Sequence, residues 1–271
     1  MGQGRRLRAG PDLGRGGRPP RGRAGGAETG PRRPLTVFFD FDGTLVDVRE
    51  RHYLTYRSAV EAFDGRPLDA RRYWTLKRRG ARWAELLARS EVAAAREGAF
   101  LERFVARIEA PEQLRLDRLF PAVPAVLAAL RRRGDRLVLL SLRRSPAGLR
   151  QQVNDLGVAG AFERVCSGQA HAEGHRSKVH LIRRAGFDPP AVVVGDTEAD
   201  LLAARRLGLA AVGVASGLRN GGYLRRVGAD AVLDGVGQLP AILAELVPSP
   251  SPAATQTACS ASPSSSGTSG R

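Results

Sequence analysis

Phe38-Phe39-Asp40-Phe41-Asp42-Gly43-Thr44-Leu45-Val46-Asp47 is the stretch that decides the fold. The apolar run Leu35–Phe39 reads as a short buried strand, and Asp40 follows it directly. In an open parallel sheet the ligand crevice lies beyond the carboxyl ends of the strands, which is where Asp40 and Asp42 fall. The chain is expected to leave the strand at about Asp40, so that both carboxylates serve one site. Gly43 permits the tight turn that this requires. A plain Asp-Gly turn and a calcium loop are the simpler readings. An EF-hand-type loop needs Gly at its sixth position and Glu at its twelfth, and neither spacing is met.

Outward from this stretch, short β-rich runs alternate with helix-period segments, the pattern of βαβ units and a parallel sheet. Leu35–Phe39, Arg136–Leu140, Phe162–Cys166, Ala191–Val194 and Ala211–Val214 are the expected strands. Helix ends are legible between them: Pro124 opens one that Gly134 closes, Ser145-Pro146 caps another, and Gly186 and Gly208 follow two more. From Val48 to Leu119 the alternation breaks, with no strand signal and with apolar residues at helical spacing, as in Tyr53, Tyr56, Val60 and Phe63. This predicts a helical insert over 48–119, with the sheet core in 34–47 and 120–247. The Arg/Gly-rich segment 1–33 and the Ser/Pro-rich segment 248–271 lack the apolar content to offset their ordering entropy, and both are expected to be disordered.

A second acidic pair follows another strand, in Val194-Gly195-Asp196-Thr197-Glu198-Ala199-Asp200. Thr197 and Asp200 have the spacing of a weak helix-capping box, which accounts for Asp200 and leaves Asp196 without a task. Two strands that end in acid pairs suggest Mg²⁺, which takes one or two carboxylates, a carbonyl, waters and a phosphate oxygen. Ser141 ends the strand Leu137–Leu140 and could hold a phosphate with nearby backbone N–H groups. Lys178 stands at the expected opening of a helix over 178–185, where the helix dipole disfavours a cation, so an anion is expected to face it. It is one of only two lysines, with Lys77, among 43 basic residues, so a compact ammonium is wanted there rather than a planar fork.

These four segments, in this order, resemble the haloacid dehalogenase superfamily, in its phosphoglycolate phosphatase-like branch with a helical cap inserted after the first strand. The resemblance runs from about Leu35 to Val247. It implies an α/β fold with a Rossmann-like parallel-sheet core and a Mg²⁺-dependent phosphatase. By the same resemblance Asp40 attacks phosphorus, Asp42 is the acid and base, and Ser141 and Lys178 bind the phosphoryl group. Asp40, the Asp42 carbonyl and Asp196 hold Mg²⁺ with Asp200 assisting, and Gly43, Thr44, Leu142, Arg143 and His52 lie on the substrate side. Dehalogenase members lack an acid at the position of Asp42, so its presence points to phosphoryl transfer. After Ser141 the family often places a small polar residue, whereas Leu142, Arg143 and Arg144 follow here. Crowding of carboxylates is expected to raise the pKa of Asp42, keeping it protonated beside an ionised Asp40. His52, twelve residues after Asp40, is also where mutases resembling beta-phosphoglucomutase carry a histidine, so a sugar-phosphate mutase is the alternative enzyme. A phosphate-binding module that has kept the fold is the non-enzymatic one.

Composition narrows the partners. The net charge of +16 would ordinarily suggest nucleic acid. Residues 1–33 alone contribute +7 of it, with nine arginines against Asp12 and Glu28, and the arginine, alanine and glycine bias has the look of a GC-rich coding sequence. Nucleic acid is therefore not the expected partner, and a small phosphorylated metabolite is what the resemblance implies. No apolar run approaches the roughly 20 residues needed to span a bilayer, and no apolar stretch follows Arg5, Arg6 and Arg8 to complete an export signal. A soluble, cytoplasmic protein is expected, with its oligomeric state left open. Two cysteines, Cys166 and Cys259, provide neither a disulfide framework nor a four-ligand zinc site. In the insert, the cluster Lys77, Arg78, Arg79 and Arg82 predicts at least one cation facing an anionic leaving group.

Overall fold

The computed structural model describes residues 34–168 and 174–246. Six parallel strands form one sheet: β1 (Thr36–Asp40), β4 (Arg136–Ser141), β5 (Arg164–Ser167), β6 (Ala191–Gly195), β7 (Ala210–Val214) and β8 (Ala231–Leu233). Their spatial order is β5-β4-β1-β6-β7-β8. From β1 the chain builds outward to one edge through β4 and β5, then returns to β1's other side with β6. The order thus reverses between β1 and β6, and such a switch point opens a crevice at the strands' carboxyl ends. Asp40 lies opposite Leu140 in the register, and Phe39 opposite Val194.

Central strands in such a sheet are covered on both faces, so successive residues enter two different cores. Val37, Phe39, Leu137, Leu139, Val192 and Val194 pack on one face with α6 (Val123–Arg132), α7 (Pro146–Asp155) and α11 (Leu239–Leu246). Phe38, Val138, Leu140 and Val193 pack on the other with α8 (Gly174–Ala185), α9 (Glu198–Arg206) and α10 (Gly221–Val227). The α/β parallel-sheet core expected from the sequence is the fold observed. Five strands coincide with the expected ones to within two residues. The sixth, β8, is only three residues long and carries no period of its own.

Between β1 and α6 lie α1 (Arg49–Glu61), α2 (Ala70–Arg79), α3 (Trp83–Arg89), α4 (Glu97–Ile108) and α5 (Pro111–Leu114). They enclose a third apolar cluster, around Tyr56, Val60, Tyr73, Leu87, Phe100 and Phe104. The Tyr56 and Tyr73 rings stack at 4.3 Å. The insert does carry one strand the sequence reading had excluded. Val46–Asp47 (β2) pairs antiparallel with Arg118–Leu119 (β3), joining the two connections between insert and sheet. A two-residue ribbon is too short to leave a periodic signal, and it forms because both chain crossings meet there. The segments 1–33 and 248–271, and with the latter Cys259, lie outside the described residues.

Candidate active site

Asp40 ends β1, Ser141 ends β4, and Asp196 follows β6, so three adjacent strands deliver their terminal polar side chains to one place. Asp200, in the first turn of α9, joins them: carboxylate oxygens of Asp40, Asp196 and Asp200 all lie within 4.8 Å of one another. Lys178 reaches in from α8. Its ammonium donates to Asp40 and to the Leu140 carbonyl at 3.1 Å, and pairs with Asp200 at 2.8 Å. Two of its three N–H groups are thus hydrogen-bonded, while Asp200 meets it as an ion partner. An anion faces Lys178 as expected, though not for the expected reason, because α8 spans Gly174–Ala185 and Lys178 sits in its second turn. Its position follows from the buried acids opposite, since the dipole effect is confined to the first turn.

The acids are packed against glycine backbone. Gly43 turns with φ +82°, and a Cβ there would lie 2.1 Å from the Asp196 carboxylate. A Cβ on Gly217 would lie 2.0 Å from the same carboxylate, and one on Gly195 would lie 2.2 Å from the Asp200 carboxyl carbon. Asp196 accepts from the Leu218 N–H at 2.6 Å and from the Thr44 hydroxyl at 3.5 Å, while the other Asp200 oxygen accepts from the Thr197 hydroxyl at 2.8 Å and its N–H at 3.2 Å. The capping box is therefore real, and the same Asp200 also serves the acid cluster. Gly43 and Thr44, expected on the substrate side, instead support Asp196 from below. Both are buried and neither borders the cavity over the site.

Three buried carboxylates against one lysine leave a surplus of two negative charges. Burial pushes the Asp40 carboxyl up to about 7, with Asp200 and Asp42 adding to it and Lys178 opposing. Burial also holds Asp196 well above the usual carboxylate range, reinforced by Asp40 and Asp200. Burial opposes the charge on Lys178, but Asp200 and Asp40 outweigh it and raise its pKa. An all-oxygen donor set with two uncompensated charges fits a hard divalent cation such as Mg²⁺. Asp42's carboxylate is not part of that set.

Asp42 departs from expectation. Burial would raise its pKa, yet Arg143 and Arg51 outweigh burial and hold it well below the usual carboxylate range. Arg143 donates to both of its oxygens, at 2.7 and 2.6 Å, and Arg51 donates to one of them. The expected division, a protonated Asp42 beside an ionised Asp40, is thus reversed in this state. Two guanidinium groups next to one carboxylate decide the sign, and sequence reading had counted only neighbouring acids. Arg51 and the buried Asp117 behind it went unread, since the arginine habit of this chain gives no single arginine any signal.

Comparison with known proteins agrees with this arrangement. Residues 35–208 match the model of the haloacid dehalogenase-like hydrolases. The chain belongs to that family. It is also 31% identical over 185 residues to a phosphoglycolate phosphatase of Synechococcus elongatus, covering 68% of this chain and 85% of the relative. The expected class, a phosphatase, stands with that assignment. Among solved structures, a predicted phosphoglycolate phosphatase of Haemophilus somnus shares the fold with TM-score 0.60 at 22% identity, over 77% of this chain and 97% of its own. A putative beta-phosphoglucomutase of Thermotoga maritima does so with TM-score 0.56 at 20% identity, over 79% and 100%.

In this hydrolase a cavity of about 240 Å³ opens over Asp40 and Lys178. Ser141, Leu142, Arg143 and His52 border it, together with Phe104 and Ile108 from α4. His52 lies between the Trp74 and Phe104 rings, 6.1 Å from each, and its buried Nδ1 has no hydrogen-bond partner. Burial, Arg51 and Lys77 lower its pKa, so it is a neutral ring. The basic cluster behaves differently from expectation. Arg79 and Arg82 are exposed, while Arg78 donates to the Ala215 carbonyl and its own carbonyl accepts from the Asn220 N–H at 2.9 Å. Lys77 lies over the Trp83 ring at 4.3 Å, and its carbonyl accepts from Arg219 at 3.1 Å. The cluster therefore docks the insert onto the loop that carries Leu218, Asp196's backbone donor. No helix among the described residues is long and apolar enough to cross a membrane.

Proposed function

We propose that this phosphatase hydrolyses a small phosphomonoester through an aspartyl-phosphate on Asp40, with Mg²⁺ held by Asp40, Asp196 and the Asp42 carbonyl and with Asp200 assisting. The observation that carries the reading is the buried cluster of Asp40, Asp196 and Asp200 around Lys178, beneath a cavity open to the insert. A phosphate dianion meeting a carboxylate at 4 Å is repelled by about 4 kcal/mol per unit-charge pair, about 8 kcal/mol for the dianion, at an effective dielectric near 20. A cation held by these carboxylates would supply the opposing charge and polarise the phosphoryl oxygens.

A carboxylate oxygen of Asp40 attacks phosphorus, and the bond to the leaving oxygen breaks. Asp42, ionised in the free site, takes up a proton once the entering substrate dianion offsets the charge of Arg143 and Arg51; it gives that proton to the leaving oxygen and then takes one from the water that attacks the aspartyl-phosphate, releasing phosphate and restoring Asp40. Lys178 and the Ser141 hydroxyl hold phosphoryl oxygens in place through both steps, and Lys178 keeps Asp40 oriented. A cavity of about 240 Å³ suits a phosphoryl group with a short leaving group. Phosphoglycolate, the substrate in the cyanobacterial relative's name, is the first compound to test.

Asp40→Asn nearly preserves shape and removes the nucleophile. Turnover of small phosphomonoesters should vanish while the melting temperature stays within a few degrees, and acid-quenched wild-type enzyme should retain labelled phosphate that the variant does not. More than about a tenth of wild-type activity in the variant would sink the covalent route. Turnover that requires a bisphosphate activator would mark a mutase instead. His52, neutral and wedged between aromatic rings, supports packing over phosphoryl relay.

A further inference from the structure

Asp42 is the end of a buried network that crosses from sheet to insert. Arg143, on the loop after β4, grips both Asp42 oxygens and also reaches Asp117 at 3.3 Å. Arg51, in the first turn of α1, donates to Asp42 with one nitrogen, to Asp117 at 2.8 Å with its Nε, and to the Ile108 carbonyl at 3.1 Å. Asp117 lies just before β3 at the neck of the insert, and Gln152 of α7 donates to it at 2.9 Å. Both arginine side chains are at most 4% exposed and Asp117 is fully buried. Two cations and two anions balance, but burying four charges is costly even when they are paired, and apolar residues could fill the same space. What such a network supplies and an apolar plug cannot is direction.

Direction is what Asp42 lacks by itself. It lies beyond the strand, on the chain that turns at Gly43, so the sheet does not fix its side chain and the two guanidinium groups do. A general acid must lie within hydrogen-bond reach of the leaving oxygen, and small misplacements of reacting groups cost large factors in rate. We propose that Arg143 and Arg51, braced by Asp117, are positioning residues that aim Asp42 at the leaving oxygen, so that docking of the insert, which carries Arg51, completes the acid. The inference rests on the acid role of Asp42 proposed above.

The test uses leaving-group dependence, which a merely structural role would not alter. p-Nitrophenol leaves readily without protonation, whereas an alkoxide needs the acid, and kcat/KM ends at the phosphorylation step before the shared hydrolysis. In full-length enzyme with Mg²⁺, Arg143→Lys, Arg51→Lys and Asp117→Asn are compared with wild type on p-nitrophenyl phosphate and on phosphoglycolate, or on the best alkyl phosphomonoester of a turnover screen. Each lysine keeps charge and loses the fork. The ratio of kcat/KM, aryl over alkyl, should rise about 10-fold or more in each variant, part of the 10²–10⁴ that general acids contribute. An unchanged ratio, or faster alkyl turnover once the grip is loosened, would overturn the inference. If one variant does not fold, the other two carry the test, with thermal unfolding as the check. Asp42→Ala separates the two levels. If it raises the ratio and the arginine variants do not, the positioning inference alone fails; if Asp42→Ala leaves the ratio unchanged, the acid role itself fails.

Discussion

Lys178→Arg sets the chemistry of the site against the habit of the chain, because arginine is this protein's usual cation and occupies 41 positions. A site that wanted only positive charge would accept the exchange. The Lys178 ammonium instead donates to Asp40 and the Leu140 carbonyl and pairs with Asp200, in a space with almost no solvent. A guanidinium is longer and planar, and its charge centre cannot stay at that point. If that centre retreats from 2.8 Å to about 3.8 Å of a carboxylate, the attraction at an effective dielectric near 20 falls from about 6 to about 4.4 kcal/mol. Two carboxylates feel the change, giving about 3 kcal/mol, or somewhat more than 10²-fold in rate. Overpacking should cost a further 1 to 3 kcal/mol of stability, roughly, seen as a melting temperature lower by several degrees. The assay is steady-state turnover of p-nitrophenyl phosphate at saturating Mg²⁺, with thermal unfolding alongside. The loss should fall on kcat more than on KM, since the ammonium follows charge that shifts during transfer. A variant with kcat within about threefold of wild type would refute the argument and leave Lys178 as a structural partner of Asp200.

Further outcomes follow from the same geometry. Gly217→Ala places a Cβ 2.0 Å from an Asp196 oxygen and 2.5 Å from the Gly43 carbonyl, so Asp196 must move; a Mg²⁺ titration of activity should shift by about 10-fold or more, and an unshifted curve would show that Asp196 is not a ligand. Chelation by EDTA should stop turnover, Mg²⁺ should restore it and Ca²⁺ should do so poorly, since calcium prefers more ligands at longer distances. In metal-free protein the Asp40 carboxyl titrates near 7 against an ordinary 3.8, so the native state binds more protons than the unfolded chain, and stability present below about pH 4 is lost as pH rises to 7. The metal-free melting temperature should therefore fall between pH 5 and 8, and saturating Mg²⁺ should flatten that slope; a flat or rising metal-free curve would contradict the burial of Asp40.

What the sequence determined by itself was whatever depends on short range. Strand runs such as Leu137–Leu140 and Val192–Val194, the turn at Gly43, the Ser145 cap and the Thr197–Asp200 box are each set by a few neighbouring residues, and each was legible. Asp40, Ser141 and Asp196 were legible as site residues for the same reason, because a polar residue at a strand's carboxyl end is already placed by the sheet. Lys178 stood out by its rarity, although its helix spans more residues than its local pattern suggested. Only the tertiary structure decided the electrostatics of Asp42. Its partners Arg143 and Arg51 come from different elements, one of them in the insert, and the brace Asp117 lies 66 residues from Arg51 in sequence. It also decided that the basic cluster of α2 docks on the loop after β7 rather than over the cavity. A charge's effect depends on distance and burial, which sequence spacing does not encode once two residues belong to different elements, whereas a strand end or a helix cap is a property of consecutive residues.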